Sequence, residues 1–213
     1  MISIIIPAHN EEDYIEKTLQ NISEQTLKEK EIIVVCNGCT DNTAKIAKKH
    51  TSKVFELKNP NLVEARNYGA DKAKYPKLLF LDADTLFQKD DTLQIISKTD
   101  SIIGTCKGAP DNKKLKFQLF WFLKNILLKK GRVSGITFCD KIIFDKIQGY
   151  NPDAQPFENL DLVKRFKEYG NFQVINDKVI TSTRRLEAFG LSGMLVFWVK
   201  KLIKNDHKYP IIR

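Results

Sequence analysis

No apolar run in this chain reaches the ~20 residues a helix needs to cross a bilayer, so no segment is expected to span a membrane. Cysteine is scarce, four in 213 residues. With no secretory context this predicts a reducing compartment and no disulfide framework. Met1-Ile2-Ser3 runs straight into an apolar stretch without a basic leader region, so a signal peptide is not expected. Linkers, internal repeats and low-complexity tracts are missing, which predicts one domain over residues 1–213. A base-reading motif is missing too, which argues against a nucleic-acid partner. So is a Gly-rich phosphate loop after the first apolar run, which argues against nucleotidyl transfer to a sugar phosphate.

What is present is an ordinary 42% hydrophobic content and an uncommon charge of +9. The hydrophobic content excludes disorder, and the charge predicts an anionic partner. The charge is uneven: residues 107–132 hold eight bases against one acid, Asp111.

The first half alternates strand and helix patterns. Apolar runs at 2–6, 32–35 and 78–81 read as buried strands, and 54–57 as a further strand. Helical spacing covers 11–25, 40–50 and 62–73, with acids opening the first of these, where the helix dipole favours them. Repeated strand–helix units predict right-handed crossovers and a mostly parallel sheet with helices on both faces, an α/β fold. The second half is less regular. Helices are expected at 93–97, 115–130, 144–149, 160–169 and 186–204, and extended segments at 101–106, 136–139, 174–175 and 179–180.

Chemistry concentrates where Leu78-Leu79-Phe80-Leu81 ends in Asp82-Ala83-Asp84. A buried parallel strand ends at the carboxyl edge of its sheet, where such folds bind ligands. Two acids one residue apart repel unless a cation or hydrogen-bond donor compensates them. A divalent metal bridging phosphates, held by hard oxygens, would do so. Four further motifs lie at strand ends or on helices: Pro7-Ala8-His9-Asn10-Glu11-Glu12, Cys36-Asn37-Gly38-Cys39-Thr40-Asp41, Glu64-Ala65-Arg66-Asn67-Tyr68-Gly69, and Glu158-Asn159-Leu160-Asp161.

In this order the five motifs resemble those of the family 2 glycosyltransferases, inverting enzymes of the GT-A fold that use nucleotide-diphosphate sugars. The resemblance covers about residues 1–170. It implies a Rossmann-like, nucleotide-sugar-binding half at 1–106, a smaller acceptor-side half at 107–185 and a C-terminal amphipathic helix at 186–213. It implies that Pro7, Ala8 and Glu11 line the nucleoside pocket, with Asn37 and Asp41 in a second nucleoside-facing loop. Arg66 would approach the base or phosphates. Asp82 would contact the ribose or the metal-bound phosphate, and Asp84 would ligate Mg²⁺ or Mn²⁺.

The chain departs from the family pattern twice. Asn159 stands where the general base usually sits, and an amide cannot take that proton, so Glu158 and Asp161 are both candidates. Cys36 stands where an aspartate often reads uracil, so the donor base stays open between uridine and guanosine.

Other features carry two readings each. Arg184 and Arg185 either hold the diphosphate or open a solvated helix. Cys36 and Cys39 form a C-x-x-C, read either as a redox pair or, preferably, as small residues filling a tight turn. The helix over 115–130 is apolar around most of its girth, with Lys114, Gln118, Asn125 and Lys129 as a narrow polar stripe. A second apolar face, Leu191, Met194, Leu195, Trp198 and Leu202, precedes Lys204. Basic aromatic helices of this kind favour a membrane interface over packing alone. The expected picture is a cytoplasmic protein, peripheral at the inner face of the cell membrane, with a polyprenyl phosphate or other lipid as acceptor.

Overall fold

The computed structural model describes residues 1–128, 131–133, 135–190 and 193. Eight strands form one mixed sheet: β1 (Ile2–Ala8), β2 (Lys30–Asn37), β3 (Val54–Leu57), β4 (Lys77–Leu81), β5 (Thr85–Phe87), β6 (Ile103–Pro110), β7 (Ile136–Asp140) and β8 (Phe172–Thr181). Their spatial order is β3-β2-β1-β4-β7-β6-β8-β5. The first four strands pair in parallel. β7 then runs antiparallel to both β4 and β6, while β6 and β8 are again parallel. The seven helices are α1 (Ile15–Ser23), α2 (Thr43–Ala47), α3 (Leu62–Asp71), α4 (Thr92–Lys98), α5 (Leu115–Leu128), α6 (Lys141–Lys146) and α7 (Glu158–Phe166), and residues 184–190 are also helical.

The continuous apolar strands are explained by burial on both faces. Ile4 and Ile6 of β1 join Leu79 and Leu81 in a core beneath α1 and α4, with Leu19, Ile22 and Leu93. The alternate residues Ile5, Leu78 and Phe80 enter a second core with Val63, Phe144 and Phe166 of α3, α6 and α7. Alternation along a strand sends successive side chains to opposite faces, so a fully apolar run is what a covered sheet demands.

Several boundaries differ from the sequence expectation. Helix α1 begins at Ile15 instead of Glu11, because Glu11 and Glu12 sit in a turn tied to the β2–α2 loop. Helix α2 is one turn and a half long, not eleven residues. Strand β5 was not expected. Residues 172–181 form one long strand instead of two, continuous beside β6 because an irregularity in the pairing follows Cys106. Helix α7 starts at Glu158, which brings that residue into the first turn. Most of the expected helix at 186–204 lies outside the described residues, as does the apolar face at 191–202.

Helix α5 buries Phe117, Trp121 and Leu128, and Asn125 of the polar stripe points inward. Its side-chain amide exchanges two hydrogen bonds with the Gly108 backbone of β6, both 2.9 Å. Leu115, Leu119, Phe122, Leu123 and Ile126 are left facing outward, Phe122 with 62% of its surface exposed. Among the described residues no helix is long and apolar enough to cross a membrane.

Candidate active site

The carboxyl ends of β1, β2 and β4 lie side by side and bring Pro7-Ala8, Asn37 and Asp82-Ala83-Asp84 to one edge. The acidic turn is held along its backbone. Asp82 N–H donates to the Gly135 carbonyl (3.0 Å), the Thr18 hydroxyl donates to the Ala83 carbonyl (2.7 Å), and Thr85 N–H returns to the Asp82 carbonyl (3.1 Å). Gly135 has φ +73°, and a Cβ there would stand 2.8 Å from Thr85 Oγ1, so the position needs glycine.

Two arginines clamp this turn from opposite sides. Arg66 reaches it from α3 because that helix packs unusually close to the sheet: a Cβ on Gly69 would overlap the Ile5 side chain. Asn61 caps α3, accepting from Val63 and Glu64 N–H at 3.1 Å, while its own N–H donates to the Asn37 side chain at 2.6 Å. Arg66 is buried. It donates to Glu158 (3.2 Å) and to Asp82 (3.4 Å), and its guanidinium lies 5.1 Å from the centre of the Tyr150 ring. Arg184, just beyond β8, donates to Glu11 (2.5 Å) and pairs with Asp84 (3.2 Å), 4.5 Å from the centre of the Tyr14 ring. The second carboxylate oxygens of Glu11 and Glu158 are buried with no hydrogen-bond partner among the described residues.

The electrostatics follow from this crowding. Burial, then the neighbouring Asp82 charge, pushes the Asp84 carboxyl up to about 6, with Arg184 pulling the other way. From α5 the half-buried Lys124 faces the same acids. Burial lowers its pKa, while Asp82 and Asp84 partly restore it.

The structure thus brings together Glu11, Arg66, Asp82, Asp84, Glu158 and Arg184, with Pro7 and Ala8 buried behind them. Arg185 contributes its charge to Asp84 and Lys124. Other expected site residues are engaged in the scaffold. The buried Asn37 side chain holds the start of α3. Asp41 accepts from Thr43 and from Glu12 N–H, and Glu12 in turn accepts from Asn42, so the β1–α1 and β2–α2 loops are laced together. Asp161 pairs with Arg165 one turn along α7 at 2.8 Å. Asn159 accepts from the Tyr150 hydroxyl at 3.1 Å.

Lys124, Tyr14 and Tyr150 were not anticipated. Lys124 carried a signal, as a single base inside the run Leu119-Phe120-Trp121-Phe122-Leu123-Lys124. The two tyrosines carried none, since only the fold sets them under the arginines.

A divalent cation fits this donor set. Asp82 and Asp84 offer hard oxygens, and the Asp84 carboxyl, raised by burial and then by the Asp82 charge, is a group that a bound cation would stabilise in its charged form. Among the described residues no cluster of three or more His, Cys, Asp or Glu is placed to hold an ion. Mg²⁺ and Mn²⁺ do not need one, because they bind through one or two carboxylates together with substrate phosphates and water.

Comparison with known proteins agrees with this geometry. Poly-beta-1,6-N-acetyl-D-glucosamine synthases of Staphylococcus aureus and Staphylococcus epidermidis are 33% identical over 116 residues, 51% of this chain and 28% of theirs. The matched region is therefore under a third of those relatives. S. aureus TarS 1-349, solved with UDP-GlcNAc, superposes with a TM-score of 0.70 at 21% identity, covering 86% of this chain and 58% of that one. The mannosyltransferase PcManGT from Pyrobaculum calidifontis, solved with GDP-Man and Mn²⁺, gives 0.70 at 18% identity, covering 98% and 65%. These likenesses establish the GT-A fold. The model of glycosyl transferase family 2 matches residues 3–147, and this chain belongs to that family.

Proposed function

We propose that this chain is an inverting, metal-dependent glycosyltransferase that moves a sugar from a nucleotide-diphosphate donor to an acceptor hydroxyl or phosphate. The observation that carries this reading is the Asp82–Asp84 turn at the carboxyl edge of β4, flanked by Arg66 and Arg184. Asp82 and Asp84 would hold Mg²⁺ or Mn²⁺ together with the donor phosphates. When bound, the cation would neutralise the charge that builds on the departing nucleoside diphosphate. Arg66, Arg184, Arg185 and Lys124 supply the remaining positive charge around that group, and a guanidinium suits phosphate by its planar fork. Pro7, Ala8 and Glu11 wall the nucleoside side, with the Asn37–Asp41 loop behind them.

For the general base we choose Glu158 over Asp161. Glu158 joins the Asp82 site through Arg66 and keeps one buried carboxylate oxygen without a partner, whereas Asp161 is clamped by Arg165. Inverting transfer needs such an oxygen on the face opposite the leaving group. The Tyr150–Asn159 hydrogen bond fixes the amide at the family's usual base position, and this favours one alternative, a module that binds donor without transfer.

The outward apolar face of α5, beside eight bases in residues 107–132, supports peripheral attachment at the cytoplasmic membrane face and a lipid-linked acceptor such as a polyprenyl phosphate.

The test is calorimetric titration with UDP and GDP, each with and without Mn²⁺. Metal-dependent binding of one nucleotide, lost in Asp84→Ala, is expected. Failure of both nucleotides to bind folded protein would overturn the reading. Glu158→Gln that binds donor normally yet transfers no sugar would identify the base. A wild type that binds donor and transfers nothing would favour the binding module.

A further inference from the structure

The β2–α2 loop carries two sulfurs at its base. Cys36 ends the buried part of β2, and Cys39 follows a turn whose Gly38 has φ +65°. Cys36 lies opposite Ala8 in the β1–β2 ladder, and Cys39 packs against the same core cluster, so the two side chains share one corner of the core. Cys39 is half-exposed, donates to the Ala8 carbonyl (3.3 Å) and accepts from Asn10 N–H (3.5 Å). It therefore adds to the hydrogen bonds through Thr43, Asp41, Glu12 and Asn10 that lace the β1–α1 loop to the β2–α2 loop. Cys106 and Cys139 are buried elsewhere in the sheet.

We propose that Cys36 and Cys39 form a thiol–disulfide exchange site for low-molecular-weight disulfides, and that oxidation of this pair loosens the contact between the two loops that wall the donor pocket. The claim about the loops' effect on donor rests on the function proposed above; the exchange chemistry does not.

The two sulfurs have unequal roles. Cys36 beside it lowers the Cys39 pKa, helped by Asn10 and Asn37 N–H and opposed by burial and Asp41. Cys39 is half-exposed and Cys36 buried, so a small disulfide reaches Cys39, whose thiolate is the attacking group. It displaces one thiolate from the small disulfide and forms a mixed disulfide at Cys39. Cys36 is held protonated by the neighbouring Cys39 and by burial. Capping Cys39 removes its charge, and the departing small thiolate takes up the Cys36 proton. Its thiolate then attacks the Cys39 sulfur and expels the second small thiol. In sum, two protein thiols are oxidised to one disulfide while one small disulfide is reduced to two thiols. In the product Cys39 can no longer donate to the Ala8 carbonyl, and its sulfur turns from Asn10 toward Cys36.

The experiment equilibrates the full chain with reduced and oxidised glutathione across a range of ratios. Free thiols are then trapped by alkylation, and the peptides are read by mass spectrometry. A Cys36–Cys39 disulfide is expected at oxidising ratios, with Cys106 and Cys139 still alkylated only after unfolding. Cys39→Ser should leave Cys36 unoxidised, and Cys36→Ser should stop at a mixed disulfide on Cys39. A pair that stays reduced in excess oxidised glutathione would overturn the proposal, as would oxidation reaching Cys106 or Cys139 equally. UDP and GDP are titrated into both forms. At least tenfold weaker binding in the oxidised form, restored by a dithiol reductant, is expected. Equal affinity of the two forms would overturn the loop claim. A disulfide that forms in a protein binding neither nucleotide would support the exchange site and refute the proposed function.

Discussion

Arg66 shows how one residue ties structure to chemistry. Its charge is buried, and the cost of removing it from water is offset by Glu158, Asp82 and the Tyr150 face. Arg66→Ala would leave Glu158 buried and uncompensated, a loss of roughly 3–5 kcal/mol of stability. Thermal unfolding would show it, and nucleotide binding should fall with it. Glu158→Gln is expected to cost less, because the amide still accepts from Arg66. Glu31 makes a similar point far from the site. Burial raises its carboxyl pKa, but hydrogen bonds from Lys53, Ser3 and Lys74 N–H outweigh that and hold it below the ordinary 4.5. Its stabilising effect is present above that value and is lost as pH falls through the depressed one. Denaturant titrations should therefore find Glu31→Gln less stable than wild type at pH 7, the gap closing below about pH 4.

At the scale of elements, close approach sets the geometry. Gly69→Ala would drive a methyl group into Ile5, and overpacking of this kind costs roughly 1–3 kcal/mol. Since Gly69 lies one turn from Arg66, donor affinity should drop beyond what the loss of stability explains, by calorimetry at a temperature where the variant is fully folded. Much of this level was readable beforehand. The strands β1, β2 and β4 were legible because burial on both faces writes a near-continuous apolar run, and Asp82-Ala83-Asp84 stood out where the last run stops; β3, at the sheet edge, is only partly buried. Strand β5 was hidden, since Thr85-Leu86-Phe87 is short and its pairing with β8 joins residues almost a hundred positions apart. Separation in sequence, 173 positions in the case of Glu11, likewise hid the partnership of Arg184 with Glu11 and Asp84. Asn37 ends β2 and Asp41 lies in the loop after it, where their side chains brace α3 and the β1–α1 loop, contacts that sequence could not show.

At the scale of the molecule, the exposed apolar face of α5 falls within the most basic stretch of the sequence. Leu119→Glu with Phe122→Glu should leave the unfolding free energy within about 0.5 kcal/mol, because both side chains are exposed. The same pair should abolish sedimentation with vesicles of anionic phospholipid. Retained sedimentation would assign attachment to another part of the chain. Raised salt should weaken wild-type attachment, since part of the attraction is between charges within a Debye length of the surface.

The Arg184 contact has a consequence for exchange at the acidic turn. A guanidinium already serves as counter-ion to Asp84, so a cation binding under the proposed function would not meet an open carboxylate pair. It would have to displace a tethered competitor whose local concentration is fixed by the fold. Arg184→Ala should therefore bind Mn²⁺ more tightly than wild type when no nucleotide is present, as read by paramagnetic relaxation of water protons. With nucleotide present the order should reverse, because the displaced guanidinium is then freed to meet phosphate. The arginine would thus couple the two ligands, making each a condition for holding the other.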